Sequence, residues 1–214
     1  MITLKLATSL DGRIATAMGE SRWITGQAAR EQVHRLRAAH DAVVIGIETA
    51  LADDPRLNVR LDQGGEARQP ARVVLDSRQR IARESKLVLT AHDAPTYVVT
   101  TSPPAEDLVC AGCRVIQVQA VGDGRPELEA TVAALAREGL DDLMVEGGGQ
   151  VAASFLRCGL VDRIEWFRAP MVLGGEGRPA VGALALAALA DAPQFRRTEM
   201  VELGPDLWER YERI

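Results

Sequence analysis

The stretch Leu143-Met144-Val145-Glu146-Gly147-Gly148-Gly149-Gln150-Val151-Ala152-Ala153-Ser154 decides how the chain reads. It opens with an apolar run of strand length (residues 142–146), passes through three glycines and continues as an amphipathic segment to about Cys158. Strand, tight turn and helix in that order are half of a βαβ unit. Glycines let backbone N–H groups approach a phosphate closely, and the following helix offers its positive end. That end contributes only about 0.3–1 kcal/mol at an exposed position, so the N–H bonds would supply most of the hold. The spacing is neither Gly-x-Gly-x-x-Gly nor a P-loop, since no Lys-Ser/Thr pair follows. A plain strand-to-helix turn explains the glycines equally well. Glu146 tilts the reading towards a ligand, because open α/β sheets bind theirs beyond the carboxyl ends of strands.

Working outward, runs of strand length alternate with helical stretches. Residues 2–8 read as a strand ending at the turn Ser9-Leu10-Asp11-Gly12. Thr25 is the expected N-cap of a helix to about Ala39, with Val33, Leu36 and His40 on one face. Residues 41–47 form a near-continuous apolar run, the pattern of a strand covered on both faces. A helical turn over residues 48–52 follows, and residues 63–70 read as a polar surface loop. Further strands are expected at 72–76, 96–100, 115–119 and 161–168. Pro126 and Gly139 bracket a helix carrying Leu128, Val132, Leu135 and Ala136 on one side. Residues 194–203 and 206–214 read as a closing antiparallel hairpin. The expected fold is therefore α/β: one domain over residues 1–214, a three-layer sandwich with a mostly parallel central sheet and an antiparallel C-terminal hairpin.

Composition narrows the function. The 214 residues are 47% hydrophobic and 26% charged, with a net charge of −5 and only 4% aromatics. Nucleic-acid binding is disfavoured, since cations for phosphates and rings for base stacking are both scarce. The longest apolar run, near residues 181–189, is too short to span a bilayer, so no membrane partner and a cytoplasmic location are expected. Cys110, Cys113 and Cys158 cannot pair off, which fits a reducing compartment. Cys110-Ala-Gly-Cys113 has no second ligand pair at matching spacing, and no metal site is expected. The His-x-Glu…Pro-Cys-x-x-Cys signature of zinc deaminases is absent.

Three more segments carry chemistry. Arg37, Arg56 and Arg60 flank Asp53-Asp54-Pro55-Arg56-Leu57-Asn58-Val59-Arg60, and guanidinium forks match phosphate oxygens; a solvated charged loop is the bland alternative. Leu75-Asp76-Ser77-Arg78-Gln79-Arg80 ends a strand in a hydroxyl and two cations, a composition suited to a 2′-phosphate or to an ordinary turn. Lys5 interrupts an apolar strand, facing away from Leu4 and Leu6 towards a ligand or solvent. Trp23 on a loop could stack on a flat ring or cap the core.

Together these segments resemble the reductases of riboflavin biosynthesis, the 5-amino-6-(5-phosphoribosylamino)uracil reductases, whose fold is like that of dihydrofolate reductase. The matching residues begin with Lys5-Leu6-Ala7, Ser9-Leu10-Asp11-Gly12-Arg13, Gly19-Glu20-Ser21, Trp23-Ile24-Thr25 and His34-Arg35-Leu36-Arg37. They continue through Ala52-Asp53-Asp54-Pro55-Arg56-Leu57, Val59-Arg60, Val74-Leu75-Asp76-Ser77 and Glu146-Gly147-Gly148. Leu160-Val161-Asp162, Ala169-Pro170 and Gly174-Gly175 complete them, so the likeness runs in order along nearly the whole chain.

The resemblance implies NADPH as hydride donor, lined by Ala7, Trp23, Thr49, Asp53, Ser77, Gly148, Gly149, Gln150, Val151, Ala152, Ala153 and Ser154. It implies substrate contacts from Ser21, Arg37, Leu57, Arg60 and Glu146 with a phosphoribosylamino-pyrimidine, and a homodimer. The implied reaction opens a ribosylamine to an imine and delivers hydride to C1′, leaving a ribitylamine. Lys5 and Asp53 are the candidates for polarising the ring oxygen or protonating the substrate. Many bacterial relatives carry this reductase behind a zinc deaminase, whereas the matching segment here begins at Met1, as in a stand-alone reductase or the reductase part of a longer protein. Glu48, where the family often has a small residue, and the Ala-rich residues 180–192 depart from the pattern. They leave open a paralogue reducing another imine or carbonyl, such as a pterin, and a silent nucleotide-binding protein.

Overall fold

The computed structural model of the chain describes residues 1–60 and 68–214. In chain order the elements begin with β1 (Ile2–Thr8), β2 (Arg13–Ala15), α1 (Gln27–Ala39), β3 (Ala42–Gly46), α2 (Ile47–Asp53) and β4 (Ala71–Leu75). Then come α3 (Lys86–Leu89), β5 (Thr96–Thr100), α4 (Glu106–Cys110), β6 (Arg114–Gln117), α5 (Leu128–Arg137) and β7 (Leu143–Val145). The last are α6 (Gly149–Arg157), β8 (Arg163–Arg168), β9 (Arg178–Pro179), β10 (Phe195–Leu203) and β11 (Asp206–Arg213). The chain divides into two compact units, Arg35–Gly147 and the discontinuous Met1–His34 with Gly148–Ile214.

In the Arg35–Gly147 unit, five parallel strands run in the order β7-β3-β4-β5-β6. All of β3 is buried, which its Ala-Val-Val-Ile-Gly sequence anticipates for a strand covered on both faces. Val43, Ile45, Val74 and Val98 share one cluster with Ile47 and Ala50 of α2, Leu87 and Val88 of α3, and Leu108 of α4. Each fully buried Val or Ile contributes about 1.5–3 kcal/mol relative to exposure, so this apolar layer is what fixes the strand ends in place.

In the other unit the strand order is β10-β11-β8-β1, with β1 and β8 parallel and the other pairs antiparallel. Phe167 and Trp208 stack at a centroid separation of 6.1 Å across the β8–β11 pair. Arg13–Ala15 and Arg178–Pro179 make a separate two-stranded ribbon. The α/β fold with a mostly parallel sheet and an antiparallel C-terminal hairpin is therefore the one the sequence called for.

Some local expectations change. α1 starts at Gln27, not after a Thr25 cap: the Gly26 N–H donates to Asp206 Oδ2 at 2.6 Å, and the Thr25 carbonyl accepts from Arg30. The inward face of α5 is Leu128, Thr131, Ala134 and Leu135, while Ala136 is exposed and Val132 only half-buried. The single-turn helices α3 and α4 are too short to carry a readable period. Of the expected polar loop at 63–70, residues 63–67 lie outside the described residues.

Candidate active site

β7 delivers Glu146 at its carboxyl end, where its N–H donates to the Val44 carbonyl at 2.9 Å. The last turn of α1 delivers Arg37. The two side chains meet as a fork: Nε lies 2.6 Å from Oε1 and Nη2 lies 3.0 Å from Oε2. The remaining amine, Nη1, donates to the Asn58 carbonyl at 3.1 Å. Both are largely withdrawn from water, with side-chain exposures of 16% for Arg37 and 7% for Glu146. Burial alone would weaken the guanidinium's hold on its proton, but the Glu146 charge and hydrogen bonds more than offset it, raising the Arg37 pKa above the ordinary arginine value. The sequence reading set Arg37 against a phosphate; in the structure its fork is closed on the carboxylate expected to meet the substrate ring.

The segment between α2 and β4 frames this pair. Asp53 is the exposed last residue of α2, and Asp54 follows in the left-handed region at φ 39°. The Asp54 carboxylate accepts the Lys86 N–H at 2.8 Å, and this bond, with the Lys86 ammonium 3.1 Å away, lowers its pKa. Leu57 and Val59 are buried while Arg56 and Arg60 are exposed, the alternation expected of residues 56–60. Among the described residues no strand neighbour maintains it. Instead Gln69 acts as one, accepting the Val59 N–H at 2.8 Å and donating to the Val59 carbonyl at 3.1 Å. Leu57 thus packs inward at φ 52°, with Arg56 and Arg60 exposed on either side of it.

The neighbouring strand ends form a second group. β3 and β4 are in register with Gly46 beside Leu75, so half-buried Thr49 on α2 and Ser77 after β4 follow adjacent carboxyl ends. The Ser77 carbonyl accepts from the hydroxyls of Thr100 (2.9 Å), Thr101 (3.1 Å) and Ser102 (3.2 Å), which fixes the turn. Among the described residues the Ser77 hydroxyl and the exposed Arg78 guanidinium make no hydrogen bond. Arg80 pairs with Glu48 at 2.5 Å.

The discontinuous unit carries the remaining candidates. Lys5 and Ala7 share the half-buried face of β1, in register with Glu165 and Phe167 of β8. Glu165 is fully buried, and accepts from Trp208 Nε1 at 2.7 Å and Arg210 Nε at 2.8 Å. Ser21 is half-buried in the loop after β2, and Trp23 is 66% exposed with the Arg30 guanidinium 4.6 Å above its ring. Trp23 therefore does not cap the core.

Gly148 takes the N-cap position of α6, and the N–H groups of Val151 and Ala152 turn back to its carbonyl. Those of Gly149 and Gln150 have no acceptor within the helix and point off its end. Gly149 has a packing reason of its own: a Cβ there would lie 2.5 Å from the Pro179 carbonyl oxygen. Ala152 and Ala153 are fully buried and Ser154 bonds the Gln150 carbonyl at 3.0 Å, so only the first turn of the expected run is open to a ligand.

Sequence reasoning did not find Asn58 as an anchor for Arg37, Gln69 as a surrogate strand, Arg30 on Trp23, or the Glu48–Arg80 pair. Each rests on a side-chain geometry between non-adjacent residues that has no periodic signature. Glu48 alone gave a signal, as a carboxylate where related sequences carry a small residue.

Comparisons with known proteins place the chain in a family. The family profile of the RibD C-terminal domain matches residues 1–208. The chain is 36% identical over 212 residues to the 2,5-diamino-6-ribosylamino-4(3H)-pyrimidinone 5′-phosphate reductase of Methanothermobacter thermautotrophicus, covering 98% of this chain and 96% of that protein. It is 33% identical over 211 residues to the riboflavin biosynthesis protein RibD of Bacillus amyloliquefaciens, covering 96% of this chain and 55% of the other. The chain thus spans about half the length of the RibD relatives it matches. The solved structure of Acinetobacter baumannii RibD superposes with a TM-score of 0.86 at 32% identity, covering 100% of this chain and 58% of that one. The chain belongs to the RibD C-terminal domain family.

Proposed function

We propose that residues 1–214 work as one reductase domain that converts the ribosyl group of 5-amino-6-(5-phosphoribosylamino)uracil to a ribityl group in riboflavin biosynthesis, with NADPH as reductant. The observation that carries the reductase reading is the end-to-end likeness to the archaeal reductase, which has almost the same length as this chain and is named for the 2-amino counterpart of the uracil. On the same reading the enzyme is a cytoplasmic homodimer. No helix among the described residues is long and apolar enough to cross a membrane.

Each unit carries donors suited to parts of a dinucleotide. In the discontinuous unit Gly149 and Gln150 offer N–H groups suited to a pyrophosphate and Trp23 an exposed ring face; in the Arg35–Gly147 unit Ser77 and Arg78 offer a hydroxyl and a guanidinium. When bound, NADPH supplies the hydride. The protein's task is to hold the pyrimidine and its phosphate in one pose and to provide a proton. Glu146, oriented by the Arg37 fork, is suited to accept from ring N–H and amino groups. Arg60, exposed at the end of the 56–60 segment, is suited to the ribose phosphate, and Lys5 or Asp53 to protonating the opened sugar oxygen. Alignment of the reacting carbon is the main lever, since a near-attack pose supplies roughly 7–11 kcal/mol of a barrier.

The test is direct. NADPH absorbance is followed with the full chain and the uracil substrate freshly made by a separate deaminase. Steady oxidation is expected. Bound NADPH without oxidation, on this substrate and on its amino precursor, would overturn the proposal.

A further inference from the structure

The Glu48–Arg80 pair stands where the reductant's adenosine end would be read, and it rests on the reductase proposal above. Glu48 immediately precedes Thr49, and Arg80 lies three residues beyond Ser77; these are the two cofactor candidates that follow the adjacent ends of β3 and β4. The carboxylate and guanidinium are 2.5 Å apart, and both face solvent, with side-chain exposures of 81% for Glu48 and 46% for Arg80. Arg78, two residues from Arg80, makes no ion pair among the described residues. A turn that offers a hydroxyl and two guanidiniums would be a strong phosphate reader. Here a carboxylate occupies one of those two guanidiniums.

We infer that Glu48 is a specificity-determining residue that restrains this chain's preference for a 2′-phosphorylated nucleotide over its unphosphorylated counterpart. A 2′-phosphate carries a charge of about −1.5 to −2, so it is repelled by Glu48 and must compete with it for Arg80. Such an exposed pair is weak and screened, so competition succeeds, but at a cost in selectivity. Arg78 is then the first anchor of the phosphate and Arg80 a second, engaged only when Glu48 yields. An adenosine without the 2′-phosphate feels neither effect.

Calorimetric titration of the full chain with adenosine 2′,5′-bisphosphate and with adenosine 5′-monophosphate tests this without turnover. Glu48→Gln is expected to strengthen bisphosphate binding about three- to tenfold and to change monophosphate binding by less than about twofold. Arg78→Ala is expected to weaken the bisphosphate about tenfold and spare the monophosphate. Thermal melts confirm that these surface variants fold. Equal changes for both nucleotides, or an unchanged ratio in Glu48→Gln, overturn the inference while leaving the reductase reading standing. Failure of the wild-type chain to bind both nucleotides and NADPH overturns both.

Discussion

Breaking the Arg37–Glu146 fork from one side should cost far more than dissolving it from both. Arg37→Met removes two hydrogen bonds from a carboxylate whose side chain is only 7% exposed, and a third from the Asn58 carbonyl. Stripping one partner from a buried pair costs roughly 3–5 kcal/mol; the residual exposure of Arg37 argues for the lower end, about 3 kcal/mol. For a chain of this size that lowers Tm by about 6–12 °C. Glu146→Leu leaves the guanidinium stranded and should cost a similar amount. The double variant replaces both charges with apolar groups and should lie close to either single one, a coupling of about 2 kcal/mol or more. Urea unfolding of the four proteins measures it. Effects that add to within about 0.5 kcal/mol would refute the claim that the two charges hold each other, and with it the positioning of Glu146. The double variant, though folded, should have lost the substrate-dependent oxidation of NADPH.

Asp11 gives a pH prediction. Its carboxylate accepts from the Ser9 hydroxyl at 2.6 Å and from the N–H groups of Leu173 and Gly174, which lower its pKa to about 2. With the folded pKa depressed, the loop at 171–174 should stay tied down above about pH 4 and loosen as pH falls towards 2; hydrogen exchange should show it, and Asp11→Asn should show the loosened loop already at neutral pH. Gly149→Ala drives a methyl to 2.5 Å from the Pro179 carbonyl and should lower stability by about 1–3 kcal/mol in urea melts, whereas an unaltered midpoint would mean the 179–182 segment yields freely. Arg60→Ala should raise KM steeply for the phosphorylated substrate and not for its dephosphorylated form. Lys5→Met should depress kcat at nearly constant NADPH affinity; an unaltered kcat removes Lys5 from the chemistry.

Much of this was legible before any coordinates. The Val/Ile run of β3 and the alternation at residues 56–60 are one-dimensional patterns with period-two or all-buried signatures, and burial follows them directly. The glycine turn was legible as a strand-to-helix junction, but the third glycine answers to Pro179, thirty residues on, which no local pattern encodes. Arg37 was set against a phosphate and is closed on a carboxylate instead, because the two ask the same of a guanidinium fork. The start of α1 slipped by one residue for a similar reason: Asp206, far away in sequence, supplies an acceptor at the helix start where a local Thr was expected to provide one.

The two compact units differ in how the ribosome would release them. Arg35–Gly147 is one uninterrupted stretch whose parallel strands and covering helices are complete once Gly147 has emerged. The other waits for residues 206–213, since β1 pairs with β8, β8 with β11, and Gly26 is anchored by Asp206. Vectorial synthesis therefore sets an order: the interior segment can condense before β8 is available to β1, and damage at residues 206–213 should be felt at residues 2–26, made much earlier.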